Sequence, residues 1–482
     1  MDTGKSMARN AAAMMVSQGM TWASTLLLTI YLPRMLGAAD FGKLQFALAL
    51  TGMFAILVDF GTTMLITREV ARDHSRAPAY LSNTLALKLG TAVVAFIAVM
   101  ATARALGRPP EVLNLVMVFG IAMGIFTTTS FLNSFLQGFE QVHYQAWGLV
   151  IEKAINTALV LALLFAGFGL TPIAWAMLAA GTVSMLWSGF FVLRLARPSF
   201  ALLSLEFMRD LVKASLPFFM FAVFAKIYDK IDVAMLAAMT SDTVVGWYAA
   251  AYRLFESLFF LPHIFNTVTF PVLSRLSASD PEAYARAVHR GFAVLAAAAV
   301  GVCVPLILLA GPVVDLLYSN VAYPGTAPTL RILALALGCM YLNTMFVMVL
   351  VTSDRQGEWM KAGAVAALIN PAVNYLLIPW LGHLGAAVTT VITEVMLLGL
   401  ALRACPRGII GRQETRALLR SLLAGVPLTA GLLVGLRWGV FGAVLLGMPL
   451  YLAAVLRLGV LSRADLALMA SAFTAKLGRQ KG

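Results

Sequence analysis

Six charged side chains stand inside two apolar runs between Lys213 and Leu276. Lys226, Asp229, Lys230 and Asp232 fall in the first run, Arg253 and Glu256 in the second. Each run is long enough to cross a bilayer as a helix, which takes about 20 residues. A charge near the bilayer centre costs roughly 2.5–3.5 kcal/mol on insertion scales. A chain keeps such residues only where they face protein or water, so a polar interior is expected. A short polar turn at Thr240-Ser241-Asp242 separates the runs. Counted from Ser241, Lys226 and Glu256 are equidistant, and so are Asp229 and Arg253. In an antiparallel pair each couple shares one depth, roughly 15–20 Å below the turn. Two readings are open: structural ion pairs that neutralise each other, or a titratable cluster facing a substrate.

Other positions carry similar chemistry. Asp59, in Val-Asp-Phe-Gly, lies about two turns before Arg68-Glu69. Held in low dielectric it is a candidate proton or cation site; otherwise it pairs with Arg68 or Arg72. Glu394 is mid-run in an apolar stretch and must find a partner or stay protonated. Lys88 is close enough to a helix end to snorkel, and the same applies more weakly to Glu152 and Lys153. Arg34 follows Pro33 at the end of the first run, where an exit mouth is expected.

These residues require a membrane bundle to position them. The 482 residues are 61% hydrophobic and only 12% charged, against roughly 25% in soluble proteins. The fold expected is an all-α integral membrane protein. Fourteen transmembrane helices are read, at about 10–33, 44–66, 82–103, 112–136, 145–166, 171–193, 213–238, 244–270, 289–310, 328–351, 359–379, 383–403, 416–436 and 439–457. Twelve would preserve the same parity. The first run is long and lacks an early A-x-A site, so it is expected to stay as a helix.

Net charge is +13. On a soluble chain that would suggest nucleic acid; here the distribution decides otherwise. Arg34, Lys43, Arg104, Arg108, Arg331 and Arg437 fall on one side and Lys226, Lys230 and Arg253 lie deep. The other 26 of the 35 Lys and Arg lie opposite the first group. By the positive-inside rule this places both termini in the cytoplasm.

Residues 194–212 read as an amphipathic cytoplasmic linker between an N-terminal lobe (1–193, helices 1–6) and a C-terminal lobe (213–403, helices 7–12). Helices 13–14 and a cytoplasmic tail occupy 404–482. Gly42 and Gly246, Arg68 and Arg275, Asn156 and Asn370, and Gly169 and Gly382 occupy corresponding places near an offset of 210 residues. Two parallel six-helix repeats are therefore expected, with a central cavity at their interface.

No enzyme signature is present. The chain has no Walker A sequence, no GxSxG, no HExxH, and its three cysteines show no metal or disulfide spacing. The longest outer loop, 311–328, has one carboxylate and two tyrosines. No cofactor is expected. Without an ATP site, uphill transport must draw on an ion gradient, H+ or Na+, or on the substrate's own gradient.

Ordered motifs carry a resemblance. Leu36-Gly37-Ala38-Ala39-Asp40-Phe41-Gly42 is followed by Asp59-Phe60-Gly61 and Arg68-Glu69-Val70-Ala71-Arg72. Ser215-Leu216-Pro217, Ile231-Asp232, Val245-Gly246-Trp247-Tyr248 and Phe270-Pro271-Val272-Leu273-Ser274 come next. Asn370-Pro371-Ala372-Val373-Asn374, Leu381-Gly382-His383-Leu384-Gly385-Ala386-Ala387 and Glu394 close the series. In order and spacing they resemble the Wzx-type oligosaccharide flippases of the multidrug/oligosaccharidyl-lipid/polysaccharide exporter superfamily. The resemblance implies alternating access through a cationic cavity and an undecaprenyl-pyrophosphate-linked oligosaccharide repeat as substrate. The unit would move to the outer leaflet of a bacterial or archaeal cytoplasmic membrane. A polysaccharide polymerase and a chain-length regulator are then the expected partners.

It further implies that Lys226, Lys230, Arg253 and Arg34 meet pyrophosphate or acidic sugars. Asp59, Asp229, Asp232, Glu256 and Glu394 would couple or gate. The six hairpin charges sum to zero, which fits a cationic cavity poorly. A cation-coupled multidrug exporter and a flippase for the peptidoglycan precursor lipid II are the alternatives within the superfamily. Short outer loops argue against a membrane-embedded transferase, and charges at depth argue against a scaffold.

Overall fold

A computed structural model describes residues 3–406, 408–409 and 411–462; the expected tail beyond residue 462 lies outside them. Among the described residues the regular structure is helical throughout. Eleven stretches are long and apolar enough to cross a bilayer. A twelfth counts where Leu205–Met220 and Ala222–Met239, bent by 40°, form one span. Two of the eleven are double. Ala13–Arg72 breaks at Gly37, whose φ is 77°, and Arg412–Arg457 turns at Leu436–Trp438. With the bent pair counted once and each double stretch twice, the described residues have length for fourteen crossings, as the hydropathy pattern implies.

The chain forms two compact units, Met1–Ala249 and Ala250–Gly482. The first holds α1 (Thr3–Asp59), α2 (Thr62–Arg72), α3 (Ala77–Ala105), α4 (Pro110–Gly138), α5 (Val142–Phe165), α6 (Leu170–Leu195) and α7 (Leu205–Met239). The boundary falls inside α8 (Asp242–Ser257). The second unit continues with α9 (Phe260–Ser279), α10 (Pro281–Leu308), α11 (Ala310–Tyr318) and α12 (Thr326–Thr352). It ends with α13 (Gln356–Leu381), α14 (His383–Ala404), α15 (Arg412–Gly435) and α16 (Gly439–Arg457).

Local chemistry sets the helix limits. The Ser204 hydroxyl accepts from the Phe207 amide, and Glu206 sits in the first turn of α7, satisfying and complementing its free amides. Asp280 caps α10 in the same way, with Pro281 next. The stretch 196–204 is a link containing a short 3-10 turn at Phe200–Leu202. It is fastened to α3: the Ser199 amide donates to Ser82 Oγ at 2.9 Å, and the Ser204 amide to Asn83 Oδ1 at 2.8 Å.

In the first unit a close approach fixes α8 against α1. A methyl group at Gly42 would collide with the Asp242 carbonyl, and one at Gly246 with the Ala38 carbonyl. Only glycine lets these backbones meet. Arg108, between α3 and α4, pairs with the Asp242 carboxylate, donates to the Ala237 carbonyl at 3.1 Å and lies 4.5 Å over the Phe46 ring. In the second unit Phe292, Phe346, Leu428 and Tyr451 anchor a core of α10, α12, α15 and α16, and Tyr451 donates to the Ala297 carbonyl at 2.6 Å.

Candidate functional site

The site begins at a helix break. Phe60 and Gly61 both take positive φ, 47° and 70°, so the helix stops at Asp59 and restarts at Thr62. Glycine adopts that backbone readily; a phenylalanine does so at some cost and only where its surroundings hold it. Here they do. Phe60 stacks on Phe219 of α7 with ring centroids 4.2 Å apart. A Cβ at Gly61 would come within 2.7 Å of the Phe219 amide nitrogen and 2.9 Å of the Ser215 carbonyl. The Asp-Phe-Gly and Ser-Leu-Pro motifs are therefore two sides of one contact. The freed backbone is answered locally: Thr62 Oγ1 donates to the Asp59 carbonyl at 2.6 Å. Interrupted helices of this kind suit membrane interiors where they border a cavity.

Such a cavity is present. It has a volume of about 800 Å³ and is lined from α1, α2, α4 and α7. Leu48, Ile56, Met64, Phe119, Met123, Phe126 and Phe218 supply apolar walls. Thr51, Thr63, Thr127, Ser130, Asp59, Lys226 and Asp229 supply the polar groups. A mostly apolar pocket with a few convergent polar groups is the usual form of a binding site.

Two charge clusters border it, one through Asp59 and one through Lys226 and Asp229. Asp229 lies between two ammonium groups, 3.4 Å from Lys226 Nζ and 3.6 Å from Lys230 Nζ. Asp59 accepts from Thr63 Oγ1 and from Lys88 Nζ, the latter at 3.2 Å. Lys88 also donates to the Val58 carbonyl at 3.3 Å and lies 5.6 Å from the Phe131 ring centroid. Its side chain is only 2% exposed, against 31% for Asp59. The snorkelling expectation for Lys88 is thus incorrect. Asp59 offers a hydrogen-bonded ion pair inside the protein, which a lysine at this depth cannot forgo. Neither Arg68 nor Arg72 is its partner; both pair with Glu69. Across the two clusters three ammonium groups face two carboxylates, a surplus of one positive charge.

The remaining candidates lie elsewhere. Asp232 is buried and accepts from the Tyr248 hydroxyl at 2.8 Å, tying α7 to α8. Arg34 is exposed on α1 after Pro33. Arg253 and Glu256 belong to the second unit, where Glu256 and Tyr318 are charged or polar neighbours of Arg253.

Glu394, 2% exposed, accepts from Asn343 Nδ2 at 3.2 Å. Around it α13 and α14 supply more buried polar groups: Asn374 donates to Asn370 Oδ1 at 2.9 Å, and Asn370 reaches Thr393 Oγ1 at 3.5 Å. The Asn-Pro-Ala-Val-Asn motif thus serves a polar network of the second unit. The hydroxyls of Thr51, Thr63, Thr127 and Ser130 escaped the sequence reading, and so did the pairing of Lys88 with Asp59. An Asp and a Lys both deep in separate apolar runs were the available signal.

Residues 7–277 match the family described as polysaccharide biosynthesis protein. The probable flippase AglR of Haloferax volcanii is 27% identical over 38% of this chain, and the chain spans 39% of its length. A putative O-antigen transporter of Shigella dysenteriae is 22% identical over 76% of this chain and 91% of its own length. Among solved structures, the lipid II flippase MurJ in an inward closed conformation shares the fold. Its TM-score is 0.71 at 14% identity, covering 97% of this chain and 99% of that one.

Proposed function

The chain belongs to the polysaccharide biosynthesis protein family, and from that premise we propose that it is a flippase for lipid-linked oligosaccharides. Its substrate is an undecaprenyl-pyrophosphate-linked repeat unit of a surface polysaccharide: O-antigen, capsule or exopolysaccharide. The unit passes from the cytoplasmic to the outer leaflet of the cytoplasmic membrane, and both termini face the cytoplasm. Names of relatives support this reading, and so does the excess of Lys and Arg on one side of the helices.

One observation carries the proposal: Lys226, Asp229 and Asp59 share the cavity of the first unit. A pyrophosphate leaving water must exchange its hydration for charge-assisted hydrogen bonds. Lys226 and Lys230 supply them once Asp229 releases one ammonium group to the substrate. The hydroxyls beside them offer donors to sugars, and the apolar walls flank them. Asp59, paired with Lys88, sets the polarity of the opposite wall. Arg253, in the second unit, and Arg34, exposed on α1, are further cations offered to the substrate. Glu256, Asp232 and the buried Glu394 couple the cycle to H+ or Na+ and gate it. Access alternates between leaflets, and a polymerase with its chain-length regulator takes the product.

Deletion of the gene tests this. The expected result is loss of one surface polysaccharide, with its lipid-linked unit trapped on the cytoplasmic face and restored by the plasmid-borne gene. Normal polysaccharide in a strain without a redundant flippase overturns it. Growth arrest with trapped peptidoglycan precursor would point to lipid II as the cargo.

A further inference from the structure

A second hollow of the first unit lies on the far side of the Lys88–Asp59 pair. It has a volume of about 640 Å³ and runs between α3, α4 and α6 to the link at Pro198–Leu203. Lys88 is the one charged side chain in its lining, and Asp59 neutralises it. The pair stands in the wall between the two hollows, because Asp59 lines the first and Lys88 the second. The rest of the lining is apolar or small. Leu85, Leu89 and Ile121 at its rim are exposed, on stretches that cross the bilayer by length and composition. In that medium the occupant of an open apolar groove is hydrocarbon.

One end of the groove is different. Phe200 of the link is 92% exposed and Leu203 is 40% exposed, as in segments that lie in the headgroup boundary. Arg197 directly precedes the lining residue Pro198. It is exposed and has no ion-pair partner among the described residues. Arg194, one turn earlier, is also exposed and lies 4.1 Å over Phe190. An apolar trough ending at guanidinium groups that have no carboxylate partner among the described residues matches a lipid with a hydrocarbon chain and an anionic head. The closed wall separates its occupant from the polar cavity, so the groove suits a resident lipid rather than cargo.

We propose that this groove binds an anionic phospholipid, with an acyl chain between α3 and α4 and the phosphate at Arg197. The site stands apart from the transport reading. Its occupant braces the link that Ser82 and Asn83 fasten to α3.

The groove can be filled without touching the cavity. A Cβ at Gly124 meets only the Ala92 methyl, at 3.7 Å, whereas one at Gly90 meets nothing. The full chain, purified in detergent, is titrated with phosphatidylglycerol or phosphatidylcholine of matched chains, and retained lipid is counted by native mass spectrometry. Wild type and Gly90→Leu are expected to retain phosphatidylglycerol preferentially. Gly124→Leu is expected to lose the retained lipid. Arg197→Glu is expected to bind phosphatidylglycerol about fivefold or more weakly, as removal of roughly one surface-charge attraction implies. Undiminished binding by a folded Gly124→Leu, or no preference for phosphatidylglycerol in wild type, overturns the proposal. Should Gly124→Leu not fold, Arg197→Glu decides alone: wild-type affinity in that variant overturns it.

Discussion

Lys88 Nζ lies 3.2 Å from Asp59 Oδ1, and the lysine is the more deeply buried partner. The two residues come from separate helices and hold the broken end of α1 against α3. Their unequal burial makes the two single removals unequal.

Asp59→Asn leaves an ammonium group enclosed without its carboxylate, at a cost of about 3–5 kcal/mol. Lys88→Met leaves a carboxylate that water still reaches, and costs less, about 1–2 kcal/mol. The double variant recovers part of the loss, with a coupling of about 1–3 kcal/mol. Denaturant unfolding of the purified protein reads all three. Equal single losses with no coupling would contradict the pair's role.

Gly42→Ala and Gly246→Ala each force α1 and α8 apart, because the added methyl meets a backbone carbonyl that cannot turn aside. Each is expected to destabilise by about 1–3 kcal/mol. Gly19→Ala, which meets nothing within 4 Å, is expected to be neutral or to gain up to about 1 kcal/mol in helix propensity. Melting temperatures of the three variants check the contrast.

Lys226→Ala and Lys230→Ala each remove a charge facing Asp229 and, in the proposed cycle, the pyrophosphate. Half-saturating substrate concentration in reconstituted vesicles is expected to rise about tenfold or more. Lys226→Arg should restore most of it. Unchanged transport in both alanine variants would remove these lysines from the site.

Gly61→Ala adds strain at a φ of 70° and a clash with α7 together. It is expected to impair folding, seen as low yield and early elution in size exclusion. Gly52→Ala, in open space on the cavity wall, should leave both yield and elution unchanged.

Much of the fold is legible in the sequence because hydropathy alone marks the spans. The motifs are legible as fixed positions, but their meaning is not. Gly42 and Gly246 read as repeat counterparts, yet in the first unit each is small because the other's helix touches it. Asp59 reads as a candidate beside Arg68, while its partner is Lys88, 29 residues away on α3. Hydropathy records how deep a residue is, not the direction it faces. For that reason Asp229 and Asp232, three residues apart on one helix, go to different places: one to the cavity, one to Tyr248.

The central claim is that charges at mid-depth border a wet passage through the first unit. Cysteine accessibility tests it most directly. In a variant with Cys303, Cys339 and Cys405 replaced by serine, Thr51→Cys and Ser130→Cys are probed with a membrane-impermeant thiol reagent. Both are predicted to react, to be protected by lipid-linked substrate, and to become silent when Gly52→Leu fills the cavity. Val94→Cys, exposed on α3, is predicted to stay unreactive. If the two cavity cysteines are as inert as Val94→Cys in every condition, the cavity is dry and the account fails.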